Sequence, residues 1–206
     1  YAGELAGNPV FTVQLSQTAE LPNPYDEKPY GSDTTIYGLP VLVSAPGMSL
    51  LEAYEPFLVF DPRHKRDQFA DYFVNNINLT RIRKRQDNEQ GLGASPDVWG
   101  RVAGIPDTLC AVSPAVAAAA YGYVPDEAVR SMRVFYDRYG TELFTEYGFR
   151  SWVSFRQHAA ADSFDALEQA AVVIMIENGR SGLLWELFAS HPDVQRVVQR
   201  HFSQNF

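Results

Sequence analysis

The sequence predicts an all-α protein whose helices alternate between an inner and an outer layer. Three observations carry that expectation. From Ser49 onward apolar residues recur at intervals of three and four, the period of a helix with one buried face. The run "AAVVIMI", Ala170 to Ile176, is apolar on every side, as expected of a helix surrounded by other elements. The segment after Pro192 instead carries one apolar stripe and one polar face, which suits an outer layer. No internal period of solenoid length is present.

Taken in order, residues 1–47 hold six of the thirteen prolines and five of the fourteen glycines. Phrases such as "LPNPYDEKPYG" cannot propagate a helix, because proline lacks the N–H and clashes with the preceding turn. Two β-type runs, "VFTVQL" and "TIYGLPVLVS", interrupt this part, which is expected as an extended, loop-rich arm preceding a helical portion at 48–206. Ser49 is placed to cap a helix over "SLLEAYEPFLVF". The stretch "HKRDQFADYFVNNINLTRIRK" sets Phe69, Phe73, Ile77 and Ile82 near one face, so both helices are expected to bury aromatic surface. Residues 87–112, dense in Gly, Pro and Asp, form the longest irregular connection, and loops of that length are disproportionately functional. Pro125, Asp126 and Glu127 make a good first turn for an amphipathic helix carrying Val129, Met132, Tyr136, Tyr139 and Leu143, until Gly148 stops it. Asp162 or Ser163 can cap the next helix, which runs through Phe164 and Leu167 into the apolar segment. In the last helix Val194, Val197, Val198 and Phe202 oppose Gln195, Arg196, Gln199 and Arg200.

Composition narrows the function classes. A chain of 206 residues, 46% hydrophobic, suits one domain with a sizeable core. The formal charge of -8 and pI near 5.0 repel phosphate backbones and anionic membranes, so nucleic acid is not an expected partner. The one basic run, "RIRKR" at Arg81 to Arg85, reads as a solvated helix end. Cys110 is the only cysteine, which excludes an intrachain disulfide and a cysteine-based zinc site. No run approaches the roughly 20 apolar residues of a membrane span. The chain starts at Tyr1 with neither a charged nor an apolar leader region, so an upstream piece is expected to have been removed or left out.

Carboxylates are the catalytic candidates that emerge. The four histidines are scattered, and nucleophile elbows, phosphate loops and dinucleotide fingerprints are absent. Glu52 and Glu55 lie among leucines and Tyr54. Asp165 and Glu168 share helical spacing, and a carboxylate facing a cavity can acquire the raised pKa that general acid work needs. Glu177 and Arg180, three apart, read as an ion pair at the edge of the core. Among the tryptophans, Trp99 in "PDVWG" is the least core-like; Trp152 and Trp185 sit in "RSWVSF" and "LLWELF". Exposed indole faces can stack on sugar rings, whereas packing is their ordinary use.

The phrases "MIENGRSGLLWELFASHPDVQRVV", "VPDEAVRSMRVFYDRYGTELFTEYGFRSWV", "PDVWGRVAG" and "APGMSLLEAYEPFLVF" resemble the glucoamylase-like conserved domain family, which includes bacterial endo-β-1,2-glucanases. The resemblance runs from about Tyr37 to Phe202. It sets the family's glutamate after Met-Phe on Glu52, its Val-Trp-Gly on Val98, Trp99 and Gly100, its Asp-Gln on Glu168 and Gln169, and its Glu-Asn and Arg on Glu177, Asn178 and Arg180. The chain departs from the pattern at Glu168, where the family has Asp, at Ala170-Ala171, where it has Gly-Pro, and in the loop "RVAGIPDT".

The resemblance implies part of an (α/α)6 toroid, the C-terminal portion. A toroid takes about twelve helices and about seven are legible here, so the N-terminal half of the barrel is expected from the same precursor or from another chain. It implies a bacterial, extracytoplasmic glycoside hydrolase acting on a β-linked oligo- or polysaccharide, β-1,2-glucan favoured, needing no cofactor and no metal. In an inverting enzyme of this kind two carboxyl groups stand roughly 6.5–9.5 Å apart. Glu52 is expected to be one, and Glu168, Asp97 or a residue of the other half the second. Tyr54, Asp97, Trp99 and Trp152 are the expected substrate contacts. The altered loop after Trp99 keeps open an alternative: a non-catalytic, glycan-binding or structural member.

Overall fold

Seven α-helices and three short antiparallel hairpins make up the described residues, which are 31–43, 48–66, 70–102 and 104–202 of a computed structural model. Most of the expected arm, including "VFTVQL", lies outside them, as does Phe69. The second β-type run is a hairpin, β1 (Gly31–Ile36) and β2 (Leu39–Val43). Its turn residues Tyr37 and Gly38 both have positive φ, the backbone a tight two-residue hairpin turn requires.

Helix α1 (Leu50–Tyr54) is shorter than its sequence suggests. Ser49 and Glu52 close a reciprocal capping box at its start, and Pro56 converts its continuation into a 3-10 turn, Glu55–Phe57. Helix α2 (Tyr72–Glu89) starts at Asp71, whose carboxylate accepts the Val74 N–H. Leu79 and Ile82 are buried on it, but so are Asn75, Asn76, Asn78, Thr80 and Asp87. Enclosed polar groups of this kind persist when bonded. Asn76 donates to the Ala53 carbonyl and the Tyr123 hydroxyl, Asn78 to the Pro40 carbonyl, and Thr80 bonds the Tyr54 hydroxyl. The basic run is not a free helix end: Arg81 and Lys84 pair with Glu127, Lys84 also with Asp97, and Arg85 with Glu89.

The element enclosed on all sides is α3 (Pro114–Ala119), capped by Ser113 and continued as a 3-10 turn, Ala120–Gly122. Its alanines allow close approach, and α4 (Pro125–Leu143) and α5 (Ala166–Ser181) pack against it. Helix α4 begins at the expected proline. Its buried face is Ala128, Ser131, Phe135 and Leu143, with Tyr136 turned outward. Two hairpins follow, β3 (Phe144–Thr145) with β4 (Gly148–Phe149), and β5 (Val153–Ser154) with β6 (Ala159–Ala160).

Helix α5 is capped by Asp165 rather than by Asp162 or Ser163. It buries Glu168, Ala171, Met175 and Asn178, but Val173 is 69% and Leu167 48% exposed. The apolar run is therefore not enclosed all round. One side of it faces α3, and the other has no cover among the described residues. Gly182, with φ of 75°, ends α5 and starts α6 (Leu183–Ala189), and α7 (Pro192–His201) follows its expected proline.

Candidate active site

A hydrogen-bonded chain at the core runs from α2, through the start of α3, to α5. Glu168, in the first turn of α5, is 7% exposed, and Oε2 accepts the Ser113 hydroxyl at 2.8 Å. Burial pushes its carboxyl up to about 7, against the opposing hydrogen bond from Ser113 and with help from the Asp165 charge. Ser113 is the N-cap of α3, and its oxygen also receives the Val116 N–H. The Ser113 amide donates to the Gly100 carbonyl at 2.8 Å. Gly100 and Arg101 in turn donate their N–H groups to Asp87 Oδ2 at 3.0 and 3.1 Å. Asp87, near the end of α2, is 1% exposed; burial raises its carboxyl, opposed by those two bonds and by Arg101.

Chemically, an enclosed carboxyl titrating near neutrality exists in both forms under ordinary conditions. Such a group can donate a proton to a leaving oxygen and be reloaded afterwards. Gln169, its neighbour, holds the β3–β4 hairpin by exchanging two bonds with the Phe149 backbone.

The other expected site residues take different places. Glu52 is exposed, and its carboxylate receives the Ser49 N–H at 2.6 Å within the capping box. That backbone bond, then the Ser49 side chain, holds its carboxyl below the usual range, which fits an ionised group and not a proton donor. Tyr54 and Trp99 are fully buried, so neither offers a face for a sugar to stack on: these two expectations are corrected. Tyr54 lies against the Tyr123 ring, and Trp99 lies under the α2 lysine Lys84. Local sequence missed this because Gly and Arg neighbours mark a loop without saying that it folds inward. Asp97 is held by Lys84 at 3.5 Å and Arg130 at 3.6 Å, tying α2, the loop and α4 together. Trp152 is half-buried, and the next residue, Val153, exchanges two backbone bonds of 2.9 Å with Val112, which precedes Ser113. The structure thus brings Trp152 to the segment carrying Ser113.

Glu177 and Arg180 do face each other, at 3.5 Å, largely in solvent. The joint between helices is made instead by Asn178, 1% exposed, whose oxygen accepts the Leu184 and Trp185 N–H groups and whose amide donates to the Leu58 carbonyl. Asp87 and Ser113 were not singled out by sequence. The Ser-Pro step at Ser113-Pro114 is a helix-start signal that could have marked the second.

Among the described residues no cluster of three or more His, Cys, Asp and Glu side chains is arranged to hold a metal, and no helix is long and apolar enough to cross a membrane.

Comparison with known proteins places these features. Residues 101–192 match the model of the Glycoamylase family, described as "Putative glucoamylase". An exo beta-1,2-glucooligosaccharide sophorohydrolase (non-reducing end) of Parabacteroides distasonis is 35% identical in an alignment 192 residues long that covers 85% of this chain and 26% of that protein. The crystal structure of an endo-beta-1,2-glucanase from Chitinophaga pinensis, in complex with sophorotriose and glucose, superposes with a TM-score of 0.79 at 28% identity, over 87% of this chain and 48% of the other. A beta-1,2-glucanase structure from Parabacteroides distasonis gives a TM-score of 0.75 at 32% identity, over 83% and 27%. The chain thus spans about a quarter of the curated relative and about half or less of these solved structures. Its helices form part of an (α/α)6 toroid.

Proposed function

We propose that the complete protein hydrolyses a β-linked glucan, with β-1,2 linkages favoured, a reading supported by the match of residues 101–192 to the glucoamylase model. The observation that carries this reading is Glu168: an enclosed carboxyl, held by one hydroxyl, that titrates to about 7. In an inverting hydrolysis Glu168 gives its proton to the glycosidic oxygen as the bond from that oxygen to the anomeric carbon breaks. A second, ionised carboxylate takes a proton from the water that attacks the opposite face of the sugar. Glu52, ionised and exposed, fits only the second of these roles. Trp152, joined to the Ser113 segment through Val153, is the candidate for a stacking contact, with Asp97 as a polar contact at the loop. The similarity to proteins named for β-1,2-glucans supports the linkage, and the fixed carboxyl supports catalysis over binding alone.

The uncovered apolar side of α5 suits the remaining helices of a toroid as its partner, supplied by the same precursor or another chain. The reading carries the bacterial, extracytoplasmic placement that the resemblance implies, which cell fractionation checks. The decisive assay incubates the complete protein with β-1,2-glucan and follows released oligosaccharides. Cleavage that falls about 10²-fold or more in Glu168→Gln supports the reading. Binding without cleavage by the parent protein establishes the alternative, a glycan-binding member that has lost the chemistry.

A further inference from the structure

Asp87 is a fully enclosed carboxylate that the proposed reaction does not use, and the helix bearing it is not the helix bearing Glu168. The two are nevertheless joined by an unbroken run of bonds. Asp87 Oδ2 fixes the Gly100 and Arg101 amides, the Gly100 carbonyl fixes the Ser113 amide, and the Ser113 hydroxyl reaches Glu168 Oε2. Gly100 is required at this crossing. Its φ is 116°, and a Cβ there would stand 2.7 Å from the Ser113 carbonyl oxygen and 3.2 Å from the Ala117 nitrogen. The loop therefore runs against the start of α3 and sets where Ser113 stands.

The hydroxyl of Ser113 also has a determined direction. Its oxygen accepts the Val116 N–H at 3.4 Å, and its single proton is given to Glu168 at 2.8 Å. That is the only hydrogen bond to the Glu168 side chain among the described residues. We infer that Asp87, Gly100 and Ser113 are positioning residues for Glu168: they fix its carboxyl so that Oε2 takes the Ser113 hydroxyl and Oε1 carries the proton to be transferred. A proton on Oε2 would displace the Ser113 hydrogen from its only carboxyl partner, so the bonded arrangement selects one oxygen. Asp87 and Gly100 act at one remove, by holding the segment that holds Ser113.

This inference deepens the proposed function and rests on it for the identity of the reaction, but its geometry has a readout of its own. A hydroxyl donated to a carboxylate favours the ionised form, so its removal raises the titration midpoint. Charged and titratable groups on the packed elements are Asp165, Glu177 and Arg180 on α5 itself, Tyr121 in the 3-10 turn, Glu146 and Tyr147 in the β3–β4 turn and Glu186 on α6; α3 has none. Asp165 is the one whose charge bears on Glu168.

The experiment follows the Glu168 carboxyl carbon by NMR across pH in the full chain, as the parent and as Ser113→Cys, Ser113→Gly and Ser113→Thr. Glycine is tolerated at an N-cap and cysteine keeps the volume with a weak donor, so these variants retain the fold while losing the hydroxyl. The midpoint is expected to rise by about one pH unit in Cys and Gly and to return in Thr. Turnover of β-1,2-glucan is expected to fall about 10-fold in Cys and Gly with little change in KM, and to recover in Thr. A midpoint unchanged in Cys and Gly overturns the inference, whatever the turnover, and leaves Ser113 as a helix cap alone. A shifted midpoint in a protein whose Glu168→Gln variant cleaves as fast as the parent upholds the positioning and overturns the hydrolytic role.

Discussion

Glu52, Asp87 and Glu168 carry the same functional group in three settings. Glu52 keeps its charge because it is wet and bonded to a backbone N–H. Asp87 and Glu168 lose water, and burial raises both. This separation gives two expected outcomes at the level of single residues. Glutamine can replace glutamate in a capping box, so Glu52→Gln is expected to change stability by less than about 0.5 kcal/mol. If Glu52 is the base, the same variant lowers turnover about 10²-fold or more. Thermal melts read beside turnover separate capping from catalysis, and full turnover in that variant moves the base elsewhere. Glu168 must be protonated to act, so kcat/KM is expected to fall as pH rises above about 7. A high-pH limb that persists unchanged in Glu168→Gln assigns the ionisation to another group.

The α5–α6 corner shows what a single polar side chain does for an element pair. Asn178 satisfies two amides at the start of α6 and one carbonyl after α1, while the Trp185 indole N–H donates to the Phe57 carbonyl at 2.7 Å beside it. Asn178→Ala leaves those groups enclosed and unpaired, so a loss of about 2–4 kcal/mol is expected in denaturant titration. A loss under about 0.5 kcal/mol would mean that water reaches the corner. On the opposite side of the same helix Val173 faces outward. In this chain Val173→Asp is expected to cost about 0.5 kcal/mol or less, and Ala171→Asp, on the enclosed side, several kcal/mol. A large cost for Val173→Asp in the complete protein but not in this chain would locate the seat of the remaining toroid helices.

For the molecule as a whole, the raised carboxyl of Glu168 links stability to pH. The folded state binds this proton more tightly than the unfolded chain does. Its contribution is therefore fully present below about pH 4.5 and is lost as pH rises through about 7. The size is on the order of 3 kcal/mol, from the pKa difference alone. Asp87, also raised, acts with the same sign. Unfolding free energies across pH 4 to 8 are expected to decline less steeply in Glu168→Gln than in the parent, since the amide does not titrate. Parallel curves would show that the carboxyl reaches solvent in the folded state.

What the sequence determined by itself was local. Ser49, Pro125 and Pro192 start their helices because capping and proline geometry act within one turn, and the apolar intervals of three and four mark helices wherever they occur. The resemblance placed Glu168 and Asn178 at sites that the structure makes special. Tertiary structure decided what each residue does there. Ser113 meets Glu168 across 55 positions and Asn178 meets Leu58 across 120, separations over which no period in the chain carries information. It also enclosed Trp99, whose glycine and arginine neighbours look like those of a surface loop, and opened Val173, whose neighbours look like those of a core. The physical reason is that burial is set by which distant elements pack on a side chain, and burial fixes both its charge state and its available partners.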